Sequence, residues 1–303
     1  MQDDWHDYQV FLSVARSGKL ALAARTLGVD ATTVGRRLKR LETRLDATLF
    51  EQTREGQVLT EAGEQLLTSV EAMARAADAI SETGRTAKGL SGAIRISVSE
   101  GFGSWFLARH LKEFAAQHPH LVIDLVASSG FLSPSKREAD IAVVLSRPKA
   151  GPLIFRKLSD YALRLYAHPD YLARHGTPQT PRHLAHGHQL VGYVPDLLYA
   201  PELRYLNEIC PDPELHPQLR SSSINAQHAL IASGAGIGVL PCFIGDADAA
   251  LVPVFPDRFI IRNFWLVMHK DTYSLARIEA CKDWLIASVT RHHDVLIPPA
   301  ARQ

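Results

Sequence analysis

Apolar positions recur along this chain in three registers, and each register predicts a different part of the fold. At the start the spacing is helical: Tyr8, Phe11, Leu12 and Ala15 follow i, i+3, i+4, i+7 and predict one apolar helix face. The run LALAARTL (20–27) consists largely of strong helix formers and stops at Gly28, a residue suited to a helix C-terminus. A further helix is expected after Asp30, which can serve as its N-cap. On a wheel of about 100° per residue, Val34, Leu38, Leu41 and Leu45 share a narrow arc and are expected to face the core. Two helices joined by a short glycine-containing turn are the sequence signature of a helix-turn-helix. Residues 48–50 and 57–60 then read as short extended arms around Glu55-Gly56, a small β-wing.

The second register is a heptad. Across a long helix from about 61 to 82, Leu66, Val70, Met73, Ala77 and Ile80 are spaced 4, 3, 4, 3, which is a coiled-coil seam. Such a seam either pairs with a second copy or docks on the body. A dimer fits the helix-turn-helix better, because two reading helices then meet two half-sites. A linker with glycines at 84, 89 and 92 follows. The third register alternates strand and helix: 93–99, about 102–117, about 122–127, and a strand within 139–146. Later come a strand, turn and short helix over 163–176, and a capped helix, glycine turn and strand over 221–241. A last strand at 263–270 precedes a helix from about 273 to 289. This alternation predicts an α/β body on a parallel sheet, in one or two lobes.

Composition adds that a chain of 303 residues, 46% hydrophobic and 21% charged, is globular and long enough for two domains. The net charge of +1 hides a local excess. Between Ala31 and Leu45 lie Arg36, Arg37, Lys39, Arg40 and Arg44 against a single acid, Glu42. Thr32, Arg36, Lys39 and Thr43 lie opposite the core arc, with Thr33, Gly35 and Arg40 on its flanks and Arg37 nearer the buried side. A cationic helix face supplies the phosphate neutralisation that DNA affinity needs. A basic face alone is equally a solvated surface; here the turn and the core spacing favour DNA. Arg54 at the wing tip is a candidate phosphate or minor-groove contact.

Other chemistry is thin. The start MQDDWHDYQV is acidic and polar, unlike a signal peptide, and no stretch approaches the roughly 20 apolar residues of a membrane span, so a cytoplasmic location is expected. Cys210, Cys242 and Cys281 lack paired spacing and read as buried thiols, with a redox switch as a minor variant. His183, His186 and His188 sit in a polar loop without thiolate or carboxylate partners, which argues against a metal site. GAGIG (234–238) follows a helix and precedes a strand, the reverse of a dinucleotide loop. No GxSxG, P-loop or HExxH occurs, so no cofactor, metal or enzymatic activity is expected.

Taken in order, these residues resemble the LysR-type transcriptional regulators over nearly the whole chain. In the head the likeness is carried by Phe11, Val14, Ser17-Gly18, Ala23-Ala24, Leu27, Val34, Leu41-Glu42, Leu45, Leu49-Phe50, Leu59-Thr60 and Ala62-Gly63. In the body it is carried by YAHPDYLARHGTP (166–178) and LIASGAGIGVLP (230–241). The resemblance implies a winged helix-turn-helix DNA-binding domain over 1–60 and a dimerising linker helix and hinge over 61–91. It implies a two-lobed, periplasmic-binding-protein-like effector domain over 92–303, with lobe I at 92–162 and 267–303 and lobe II at 163–266. A small molecule in the interlobe cleft would then alter how a tetramer, a dimer of dimers, sits on and bends double-stranded promoter DNA. Ala31 and Gly35 depart from the Gln and Ser often found there in the family, and the segment 128–140 is expected to be loop-like.

Within such a body, ligands gather beyond the carboxyl ends of strands and at helix N-termini. That makes Ser99, Glu100, Ser128, Ser129, Arg147, Ser222, Ser223 and Asn225 the candidate effector contacts, although Ser222 or Ser223 reads equally as a plain N-cap. Glu100 argues for a neutral or cationic effector and Arg147 for an anionic one, so its charge stays open. The alternative is a solute-binding or metabolite-processing α/β protein whose head serves only oligomerisation.

Overall fold

The computed structural model describes residues 4–54, 56–83, 89–135, 138–148, 151–209 and 215–302. Contacts divide the chain into two units, Met1–Ala87 and Lys88–Gln303. The first holds α1 (Trp5–Ser17), α2 (Leu20–Leu27), α3 (Ala31–Leu45), the hairpin β1 (Phe50–Gln52) and β2 (Gln57–Leu59), and α4 (Glu61–Thr83). Gly18 and Gly28, both at φ 65°, end α1 and α2 in the left-handed conformation that glycine adopts without strain. Asp30 caps α3: one carboxylate oxygen accepts the Thr33 N–H and the other its hydroxyl, each at 2.7 Å. The hydroxyl bond first, then the N–H, hold the Asp30 carboxyl below its usual range.

The head core is built from Phe11, Val14, Ala23, Val34 and Leu41, all fully buried, closed by Leu49 and Phe50. Leu45 departs from the wheel: it is 38% exposed, because the chain leaves the helix at Asp46 with φ 50°. The wing differs too. Its first strand begins at Phe50 and not at residue 48, because the two preceding residues tie the hairpin down. Leu49 N–H donates to the Glu42 carboxylate at 2.8 Å, and the Leu49 carbonyl accepts from Thr60 N–H at 3.1 Å. Thr60 Oγ1 also donates to the Thr48 carbonyl at 2.7 Å. Gly63, in the first turn of α4, lies so close to this strap that a Cβ there would stand 2.2 Å from the Leu49 carbonyl oxygen. Farther along α4, Val70 is buried and Leu66 half-buried in the head's own core, while Met73 stays exposed. The first half of the heptad row is thus used within the unit. The Ile80 side chain, Glu55, Gly84 and Cys210 lie outside the described residues.

In the second unit, β3 (Ser91–Ser99) leads through a π-turn (Phe102–Leu107) into α5 (Ala108–Gln117), followed by β4 (His120–Ser128), β5 (Ile141–Val144) and β6 (Leu153–Ala167). Then come α6 (Pro169–His175), β7 (Leu190–Gly192), α7 (Leu206–Ile209), β8 (Leu219–Arg220), α8 (Ile224–Ala232), β9 (Ile237–Pro241) and α9 (Cys242–Gly245). The unit closes with β10 (Val252–Val254), β11 (Ile260–His269), α10 (Ala276–Arg291) and α11 (His293–Leu296). As expected, 128–140 carries no helix or strand among its described residues after Ser128.

The sheet runs β4-β3-β5-β11-β6-β9-β7-β8, with β10 beside β6. It is parallel at its two ends, as the alternation predicts, and antiparallel in the middle. The middle differs because the chain crosses between two lobes twice, in opposite directions, on β6 and β11. At one end β11 pairs with β5, from Trp265↔Val144 to Met268↔Ile141; at the other, β6 pairs with β9, from Leu163↔Pro241 to Tyr166↔Gly238. Between these ends the register shifts: Phe264 faces Ser159 and Trp265 faces Lys157, so Leu158 is an extra residue, a bulge at the crossing. The sequence reveals only the last part of β6 because Arg156-Lys157 and Ser159-Asp160 interrupt its apolar pattern. Residues 162 and 267 both lie inside these crossing strands.

At the crossing Tyr161 of β6 stacks on Phe264 of β11, with centroids 4.1 Å apart, and Phe102 packs on Phe264 at 4.4 Å. Phe243 of α9 completes the cluster, 6.4 Å from Phe264.

Gly63→Ala is expected to destabilise the head by about 1–3 kcal/mol, since the strap has to move to admit a Cβ. Equilibrium urea unfolding checks this; an unchanged midpoint refutes the close approach.

Candidate DNA-reading helix and effector cleft

The basic residues of α3 divide into two groups. Asp7 of α1 is completely buried and draws in three arginines. Arg40 reaches it at 2.5 and 2.9 Å, Arg44 at 3.4 Å and Arg37 at 3.5 Å. Asp4, the N-cap of α1, takes a second bond from Arg40 at 3.0 Å. A buried carboxylate needs such partners, because desolvation without them is costly. These arginines therefore also bolt α3 to α1. Arg36 and Lys39 are exposed and have no ion pair among the described residues.

The other candidates in the head fall as follows. Thr32 is exposed; Thr33 is occupied by its bond to Asp30; Thr43 Oγ1 donates back to the Lys39 carbonyl at 2.9 Å. Arg54 is exposed in the wing turn, where Thr53 N–H donates to the Gly56 carbonyl at 2.8 Å. The Arg40 guanidinium lies against Asp4 and Asp7, an arrangement that a phosphate would have to share or replace.

In the body the structure brings together three of the eight candidate effector contacts, and they bind one another. Glu100, just beyond β3, reaches across to the N-terminus of α8. It accepts from Ser223 Oγ at 2.8 Å, from the Ile224 N–H at 3.0 Å and from Asn225 Nδ2 at 3.0 Å. Ser223 is the N-cap of α8 as well, receiving Ala226 N–H at 3.1 Å. Trp105 Nε1 donates to Asn225 Oδ1 at 2.7 Å, a further bond between lobes. The chain's own carboxylate thus takes the place at a helix N-terminus where an anionic ligand would sit.

The remaining candidates take no part in the Glu100 bonds. Arg147 stacks over the rings of Phe155 (4.8 Å) and Trp265 (5.9 Å). Ser128 Oγ donates to the Gly130 carbonyl, Ser129 is exposed, and Ser222 is half-buried. Ser99 is nearly buried and lines what is left of the cleft, a space of about 20 Å³, room for about one water. The space is filled by Tyr161, Tyr193, Tyr199, Tyr205 and Phe264. Burial pushes the phenols of Tyr193, Tyr199 and Tyr205 above their usual range, so they stay neutral. Sequence reasoning missed these tyrosines and Trp105. The tyrosines fall in an irregular proline-containing segment where no periodicity marks an inward face; the available signal was only their six-residue spacing.

Cys242 and Cys281 are buried and free. Burial pushes the Cys242 thiol up to about 12 and the Cys281 thiol higher still, which disfavours the reactive thiolate. Among the described residues no group of three or more His, Cys, Asp or Glu is arranged to hold a metal. No helix among them is long and apolar enough to cross a membrane.

Glu100→Ala is expected to lower the stability of the effector domain by about 1.5–3 kcal/mol, the usual worth of hydrogen bonds to a charged group. Calorimetric melting measures it, and an unchanged transition would contradict the interlobe role.

Two family models cover most of the chain: the LysR substrate binding domain matches residues 87–290, and the bacterial regulatory helix-turn-helix of the lysR family matches 5–64. The transcriptional regulator CrgA of Neisseria meningitidis serogroup C (strain 8013) is 29% identical over 293 residues, covering 94% of this chain and 97% of that protein. The Mau operon transcriptional activator of Paracoccus denitrificans is 28% identical, covering 87% and 89%. The solved structure of CrgA from Neisseria meningitidis, 27% identical, aligns with a TM-score of 0.58 over 95% of this chain and 99% of that one. A helix-turn-helix head and a two-lobed ligand-type body occur here in one sequence and in one order. The chain belongs to the LysR family of DNA-binding transcriptional regulators with an effector-binding domain.

Proposed function

We propose that α3 reads promoter DNA through Thr32, Thr33, Arg36, Lys39, Arg40 and Thr43, with Arg54 of the wing adding a contact to the backbone or minor groove. The observation that carries this reading is the division of charge on α3. Arg36 and Lys39 stand exposed without an ion pair among the described residues, whereas Arg37, Arg40 and Arg44 are shared with Asp4 and Asp7. Unshared cations keep their full attraction for phosphate, so Arg36 and Lys39 are the leading contacts, and Arg40 contributes by exchanging carboxylate for phosphate. Ala31 and Gly35 offer no hydrogen bond to a base edge, so phosphate contacts carry a large share of the affinity.

Two copies pair through the later part of α4, because Leu66 and Val70 are used inside the head while Met73 is exposed. Two such dimers then act together on one promoter. A small-molecule effector entering the interlobe cleft works against the bonds of Glu100 and shifts one lobe relative to the other, which changes the fit to DNA. The protein acts in the cytoplasm as a regulator without catalytic chemistry.

The test is the salt dependence of DNA binding by the full-length protein. Arg36→Ala is expected to weaken binding and to flatten the plot of log K against log salt by about 0.9 per lost phosphate contact, so by about 2 for a dimer carrying the change twice. Asp7→Asn is expected to act oppositely on the slope, since it releases arginines toward DNA, while lowering the melting temperature. Wild-type slopes in both variants would remove α3 from the reading role.

A further inference from the structure

Lobe II contains a larger cavity, whose lining shares Tyr193, Leu203 and Tyr205 with the interlobe cleft. It measures about 300 Å³, against about 20 Å³ in the interlobe cleft. That size sits at the lower end of the range for small-molecule sites and suits a one-ring compound. Its walls are largely apolar: Val191 of β7, Val239 of β9, Leu206 and Leu215 line it, all of them buried, with Tyr193, Tyr205 and Gln227 as the polar members. Its rim carries two cations, Arg204 and Arg220, with His216 beside them, all three exposed. Arg220 Nε donates to the Pro217 carbonyl at 2.7 Å, which holds the guanidinium in place while its terminal nitrogens stay available. Arg204 has no ion pair among the described residues, and no carboxylate is found among the described residues lining the cavity.

These features select one class of ligand. Walls with so few polar groups disfavour sugars and nucleotides, most of whose hydroxyls would be left without partners. A rim with two guanidinium forks favours a carboxylate, which they bind through paired hydrogen bonds. The cleft offers no such place, because Glu100 already holds the α8 amide and repels a second carboxylate. We propose that the lobe II cavity binds a small monocarboxylate with an apolar body, in a space that adjoins the interlobe cleft across Tyr193, Leu203 and Tyr205 and is not the cleft itself. The proposal does not depend on how the DNA-reading helix works. Helix α8 does join the two places: its buried Gln227 lines the cavity, and its first turn holds Glu100.

The test uses 4-bromobenzoate as the probe and 4-bromobenzamide as its neutral counterpart, titrated into the full-length protein by calorimetry. The acid is expected to bind at least about tenfold more tightly than the amide, as for a charge-assisted contact. In the double variant Arg204→Gln, Arg220→Gln that preference is expected to disappear, with the circular dichroism spectrum checking the fold. Crystals of the unaltered protein soaked with the acid locate the probe by bromine anomalous scattering, whether or not the variant folds. A peak between Val191 and Leu215 supports the site. A peak beside Tyr199 in the cleft, equal affinity for acid and amide, or no binding of the acid overturns it.

Discussion

The effector domain depends on the antiparallel pairing of two strands, Leu153–Ala167 and Ile260–His269, because both lobes hang from them. Each strand serves one lobe with one end and the other lobe with the other end, so their register decides which side chains meet between lobes. The bulge at Leu158 falls where the pairing passes from one lobe to the other. There Tyr161 and Phe264 stack, and Phe102 and Phe243 close on them from the two sides. The same register sets Glu100 opposite the first turn of the helix that begins at Ile224. Apolar packing at the crossing is non-directional, whereas the Glu100 bonds are directional. Together they give the two lobes one defined closed arrangement with little space between them.

The head makes a comparable use of a few charges. One buried carboxylate, Asp7, gathers Arg37, Arg40 and Arg44 and fixes the orientation of α3 against α1. Two cations, Arg36 and Lys39, remain outside that network on the solvent face. The basic run in the sequence therefore has two jobs, one structural and one electrostatic, and substitutions in it are expected to separate along that line.

Much of the head could be read from the sequence because its determinants are local. Gly28, Asp30 and the spacing of Val34, Leu38 and Leu41 act within a few residues of themselves, and the helix bounds 20–27 and 31–45 follow from them. The effector-side candidates were only partly legible. Glu100, Ser223 and Asn225 were recognisable as polar groups at strand and helix ends, but their mutual bonds span more than 120 positions and leave no local pattern. Arg147 illustrates the same limit: nothing near it in sequence shows that its charge rests on Phe155 and Trp265.

Chain order, helix periods, caps and turns are properties of neighbouring residues, and they were enough for a winged helix-turn-helix head and an α/β body; the two lobes followed only from the likeness to the LysR-type regulators, which the family models bear out. Long-range pairing decided the rest. Burial of Asp7 settled which arginines are held, and the register of two crossing strands settled that the cleft is closed by tyrosines and by Glu100. The physical reason is that desolvation and hydrogen-bond partnership depend on what lies across a contact, and contacts between distant segments exist only once the chain has folded.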